Sequence, residues 1–156
     1  MGANKSATVA IIGSFRQHYD AVLTAHREFT SRGIQVTSPL GARVLVEGIP
    51  FVRFETDAGH LTDAGVQEKA LELILGSDAV YVVAPSGYVG RTTCYEIGRI
   101  LERGVPLYFT EHPVDLPILV DAAHILDAAE LAELILERRV EPLDSAKALD
   151  SSASEL

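Results

Sequence analysis

"SDAVYVVAPSGYVGRTTCYEIGRILERGVPLYF", residues 77–109, decides how the chain folds. The segment "DAVYVVAP" (78–85) is a near-continuous apolar run, the pattern of a strand buried on both faces. Glycines, an arginine and two threonines then interrupt it. "TTCYEIGRILERG" (92–104) follows as a helix, with Ile97, Ile100 and Leu101 inward and Gly104 as its stop. "VPLYFTE" (105–111) returns to strand character. A strand, a crossover helix and a second strand form a parallel pair, and such crossovers are right-handed.

The same alternation extends in both directions. "ATVAIIGSF" (7–15) reads as a buried strand, and residues 16–33 as a helix with Tyr19, Val22, Leu23, His26 and Phe29 at helical spacing. "IQVTSP" (34–39) is a second strand, and 42–56 a hairpin or extended flap around Gly48-Ile49-Pro50. Residues 61–77 form a helix with Val66, Ala70, Leu73 and Ile74 on one face. "AHILD" (123–127) reads as a short fifth strand and 128–140 as a final amphipathic helix. The expected architecture is α/β: a doubly wound, mostly parallel five-stranded sheet of flavodoxin or Rossmann type, with helices on both faces. Residues 1–140 make one domain, and the polar, acidic stretch 141–156 reads as a disordered tail. A flavodoxin-like strand order, 2-1-3-4-5, brings the loop "GSFR" (13–16) beside "PSGYVGRTT" (85–93) at the switch point, where such sheets bind ligands.

Composition removes several function classes. With 156 residues, 47% hydrophobic and 22% charged, the chain has the balance of a folded domain rather than a disordered one. No apolar run approaches the roughly 20 residues of a membrane span. "MGANKSA" lacks the apolar core of a secretory signal, and the single cysteine, Cys94, suits a reducing cytoplasm. One cysteine and scattered histidines predict no metal site and no cofactor. A net charge of −9 without a basic stripe disfavours long nucleic acid. A small anion held by one or two local arginines fits.

Two loops concentrate the chemistry. In "GSFR", Gly13 allows close backbone approach, Ser14 and Phe15 lead into a helix N-terminus, and Arg16 adds a forked positive charge. The same four residues also suit an ordinary turn with Ser14 as helix cap. In the second loop, Gly87 and Gly90 permit unusual backbone conformations, and Tyr88 between them can stack on a ring. Thr93-Cys94-Tyr95-Glu96 matches the capping box [ST]-x-x-E, which accounts for Glu96 without any chemistry. The alternative is a carboxylate kept ionised by the helix start and aimed at an electrophilic sugar carbon. Asp57 is the best candidate for a second carboxylate, while Glu68 and Glu72 read as solvated or capping groups.

These residues resemble the nucleoside 2-deoxyribosyltransferase superfamily, which includes 2'-deoxynucleoside 5'-phosphate N-hydrolases. The resemblance covers roughly residues 7–112 and is most specific in the glycine-rich loop, "YEIG" and "GVPLYF". It implies cleavage of the bond between a base and a (deoxy)ribose, with Glu96 as nucleophile and hydrolysis preferred over transfer. It places Gly13, Ser14, Phe15 and Arg16 on the ribose or its 5'-phosphate. Gly87, Tyr88, Gly90, Arg91, Thr92 and Thr93 would lie along the sugar or phosphate. It further implies a small-molecule nucleoside or nucleotide as partner, and a homodimer or larger homo-oligomer. The superfamily's aspartate in the preceding helix is matched here by Ala70, which moves that role toward Asp57 or leaves it unfilled. A crevice that binds a nucleotide without cutting it is the alternative function.

Overall fold

The computed structural model describes residues 6–15, 17–39 and 63–144, with only the backbone described over 63–67. Arg16, Asp57, the 42–56 hairpin and most of the acidic tail lie outside these residues. Strands β1 (Thr8–Gly13), β2 (Gln35–Ser38), β3 (Ala79–Val83) and β4 (Leu107–Phe109) alternate with helices α1 (Tyr19–Ser31), α2 (Asp63–Leu75), α3 (Arg91–Arg103) and α4 (Ala128–Leu136). All three strand pairings are parallel, in the order β2-β1-β3-β4.

The apolar runs become strands because alternate side chains enter two separate cores. Val9 and Ile11 of β1, Ala79, Tyr81 and Val83 of β3, and Tyr108 of β4 point to one face. There they meet Val22, Ala25 and Phe29 of α1 and Leu131, Ala132 and Ile135 of α4. Ala10, Ile12, Val80, Val82, Leu107 and Phe109 point the other way, onto Ile74 of α2 and Ile97 and Ile100 of α3. Burying a Val, Leu, Ile or Phe side chain contributes about 1.5–3 kcal/mol, so these faces dominate the stability. A reciprocal pair fixes the register where β1 and β3 begin. Thr8 donates its backbone N–H to Asp78 Oδ2 at 2.8 Å, and the Asp78 N–H donates to Thr8 Oγ1 at 2.9 Å.

The α/β class and the parallel sheet agree with the sequence reading; the strand count differs. Among the described residues the sheet has four strands, and 123–127 contributes a single bridge, Ile125 to Phe109. The reason is local. Residues Ala122–His124 close a 3-10 turn, and the His124 ring is drawn inward, stacked on Tyr108 at 4.6 Å with Nδ1 2.7 Å from the Leu107 carbonyl oxygen. Asp127 then starts α4, which leaves too few residues for a ladder.

Candidate functional site

The two loops singled out in the sequence leave the sheet side by side. Gly13 and Val83 are paired where β1 and β3 end. A Cβ on Gly13, at φ +144, would lie 2.5 Å from the Val83 carbonyl oxygen, so strand packing itself requires glycine there. Ser14 is not the cap of α1. Its carbonyl accepts the His18 N–H at 2.8 Å, and the helix begins at Tyr19 with no side-chain cap. Phe15 packs partly buried against the core beneath α1 and α4.

Beside this loop, residues Pro85–Gly87 form a 3-10 turn in which Ser86 adopts φ 61 and Gly87 φ 80. The segment after β4 holds this turn in place. Thr110 Oγ1 accepts the Ala84 N–H at 2.8 Å, and Glu111 Oε2 accepts the Ser86 N–H at 2.6 Å. The Val114 N–H donates to the Gly87 carbonyl at 3.0 Å, and a Cβ on Gly87 would sit 2.5 Å from the His112 oxygen. Gly90 differs from the expectation: at φ −76 and ψ 170 its backbone is extended and open to any residue. Tyr88, 45% exposed, presents its ring edge-on to His18 at 5.9 Å, and this contact spans the two loops.

The helix start overturns the capping reading of Glu96. Gly90 occupies the cap position, its carbonyl accepting the Cys94 N–H at 2.9 Å, and the chain is helical from Arg91. Thr93 is therefore already inside the first turn and buried, and Glu96 falls in the second turn. A Thr-x-x-Glu pattern caps a helix only where the threonine backbone is extended. That conformation belongs here to a glycine.

Glu96 instead faces a cleft of about 380 Å³ between α2 and α3. Glu68, Leu71, Glu72 and Leu75 line it from α2, and Thr92, Tyr95, Arg99 and Arg103 from α3. Burial pushes the Glu96 carboxyl up to about 7 from an ordinary value of 4.5. The expected ionised, helix-start carboxylate is thus corrected. The macrodipole acts within the first turn, and in the second turn desolvation decides. Arg99 is pinned beside the cleft, donating from Nη1 to Tyr95 Oη at 2.8 Å with its guanidinium 5.9 Å from the ring centroid.

The structure thus joins Thr92 and Glu96 in one cleft, and Gly13, Ser14, Gly87 and Tyr88 at one pair of loops. Arg91 is exposed at the first helical position and Thr93 turns into the protein, so neither lines the cleft. Glu68 and Glu72, read as solvated or capping groups, line the cleft from α2, while Ala70 between them in sequence does not. Their i,i+4 spacing on a helix neighbouring α3 was the available signal. His18 and Glu111 gain their places from tertiary pairing alone, whereas Tyr95 and Arg99 are an i,i+4 pair on α3. Among the described residues no three His, Cys, Asp or Glu side chains converge as a metal site, and no helix is long and apolar enough to cross a membrane.

No protein-family model matches the chain, and no curated protein does. A solved structure described as a conserved protein from Enterococcus faecalis is similar at a TM-score of 0.45 and 12% identity, over 97% of this chain and 100% of that one. That similarity assigns no function.

Proposed function

We propose that the chain is an N-glycosidase acting on a nucleoside or nucleoside 5'-monophosphate, with Glu96 as nucleophile. One observation carries this: a glutamate with no capping role, drawn into the α2–α3 cleft and pushed up to about 7 by burial. A strongly perturbed carboxyl in a cleft is a functional-site candidate, because keeping it there costs stability. Its place one turn beyond the glycine-rich loop, on the helix that leaves the carboxyl end of β3, is where ligands bind in α/β sheets. The family resemblance adds the doubly wound arrangement and the homo-oligomer, and the single cysteine suits a cytoplasmic setting.

In its ionised form Glu96 attacks the anomeric carbon of the sugar. The glycosidic C–N bond breaks through an oxocarbenium-like transition state, and the base leaves with the bonding pair and takes up a proton. The glycosyl ester on Glu96 is then resolved by water, which returns the carboxylate and releases the free sugar or its phosphate. A second base in place of water makes the reaction a transfer. Thr92, one turn before Glu96 and lining the same cleft, would bond a sugar hydroxyl.

The test is release of free base, followed by chromatography, from a panel of nucleosides and their 5'-monophosphates. Wild type releases base, and both Glu96→Ala and Glu96→Gln lose about 10³-fold or more, as removal of a nucleophile requires. Turnover that survives in Glu96→Gln overturns the assignment. Tight binding of one panel member without cleavage makes the crevice a nucleotide sensor, the function that the alanine at position 70 would favour.

A further inference from the structure

Between the two loops lies a polar atom that the proposed chemistry does not use. His18 Nε2 is sealed from solvent and finds no hydrogen-bond partner among the described residues. Leaving such a group unpaired costs stability, and folded proteins rarely keep one without a use. The backbone gives no reason for a histidine there. Its N–H is satisfied by Ser14 and its carbonyl by the Val22 N–H at 3.0 Å, whatever the side chain. The ring meets the edge of Tyr88, an exposed aromatic on the opposite loop. His18 also flanks the N-terminus of the 13-residue helix α1, where an electron-rich oxygen is favoured.

We infer that His18 is a substrate-binding residue of the crevice between the loops, its Nε2 hydrogen-bonding an oxygen of the sugar or its 5'-phosphate. Tyr88, whose ring packs against the His18 ring at 5.9 Å, swings outward to stack on the ligand. Binding then gives the nitrogen the partner that the fold does not supply. This inference rests on the proposed N-glycosidase function.

The closing experiment compares wild type with His18→Phe and His18→Asn on the nucleosides and 5'-monophosphates of the panel, with a thermal melt of each variant. Phenylalanine keeps the ring against Tyr88 and removes the unpaired nitrogen. His18→Phe is expected to melt no lower than wild type and to raise KM about tenfold or more, with kcat nearly unchanged, as loss of one ligand hydrogen bond predicts. His18→Asn, with a polar group of shorter reach, recovers part of that loss. A KM effect confined to the monophosphates assigns the bond to phosphate, and an equal effect on nucleosides assigns it to the sugar. An unchanged KM in an active His18→Phe protein overturns the role of His18 and leaves Glu96 untouched. Absence of base release by wild type on the whole panel overturns the proposed function, and this inference with it.

Discussion

Helices α3 and α4 both carry a cap-and-glutamate pattern near their starts, and they use the glutamate in opposite ways. At α4 the backbone of Asp127 is extended, at φ −79 and ψ 171. Its Oδ1 accepts the Glu130 N–H at 2.8 Å while Glu130 Oε1 accepts the Asp127 N–H at 3.2 Å. Both carboxylates stay exposed, and each satisfies a backbone donor that the helix end leaves open. At α3 nearly the same extended conformation, φ −76 and ψ 170, belongs to Gly90, which has no side chain to offer. Glu96 is thereby released from any capping duty and carried into the interhelical cleft. The carboxylates that serve the fold stay exposed at the helix start, whereas burial in the cleft pushes the Glu96 carboxyl up to about 7.

The difference is most exposed to pH. Because Glu96 must ionise to act, kcat/KM should climb with pH along a limb centred near 7 and level off above it. From pH 7, where the group is half ionised, down to pH 5 the loss should be about 50-fold. The other charged groups lining the cleft are Glu68 and Glu72 from α2 and Arg99 and Arg103 from α3, so each belongs in the comparison as a glutamine or methionine variant. A flat profile between pH 5 and 8 would sink the nucleophile assignment and leave the cleft as a packing defect.

Stability should show the second-largest effect, with the sign reversed from an ordinary carboxylate. In the unfolded chain Glu96 releases its proton near 4.5, and in the folded chain near 7. Between those values the folded state binds the extra proton, so its stability is full below about 4.5 and falls as pH rises through 7. Glu96→Gln removes that penalty. It should leave the unfolding free energy unchanged at pH 4 and raise it at pH 8 by up to about 3 kcal/mol, read from denaturant melts. A more stable but inactive protein is the signature of a group kept for function at the expense of the fold. Should Glu96→Gln instead destabilise at pH 8, the carboxylate must have a native partner and a structural purpose.

How much of this was legible follows from which interactions are local. The strands at 8–13, 79–83 and 107–109 were readable because burial on both faces demands unbroken apolar runs. The order β2-β1-β3-β4 matches the first four strands of the flavodoxin-like order, one of the orders that parallel alternation with right-handed crossovers allows. The adjacency of the two loops came with that order. What failed was decided by a residue or two of backbone. Thr93-x-x-Glu96 and Asp127-x-x-Glu130 look alike in sequence, and only the conformation at Gly90 and at Asp127 separates them. "AHILD" has strand composition, yet the pull of His124 onto Tyr108 turns it into a 3-10 corner. His18 and Glu111 were invisible because their meaning lies in partners about 25 residues or more away along the chain.

The smallest effect belongs to the exposed cap, which serves as the control. Asp127→Ala removes the acceptor for the Glu130 N–H and, with it, the geometry that lets Glu130 reach back. Loss of a side-chain cap costs about 1 kcal/mol, and the α4 face that it steadies, Leu131, Ala132 and Ile135, is fully packed. Asp127→Asn keeps the acceptor and should recover most of that loss. Because α4 covers the sheet face opposite the cleft, neither variant should alter base release or its pH profile. A carboxylate pair that shifts melting and nothing else, set beside one that shifts catalysis and stabilises when removed, separates the two helix starts by experiment. If Asp127→Ala changed the pH profile, the two faces of the sheet would be coupled, and Glu96 could no longer be treated as a local site.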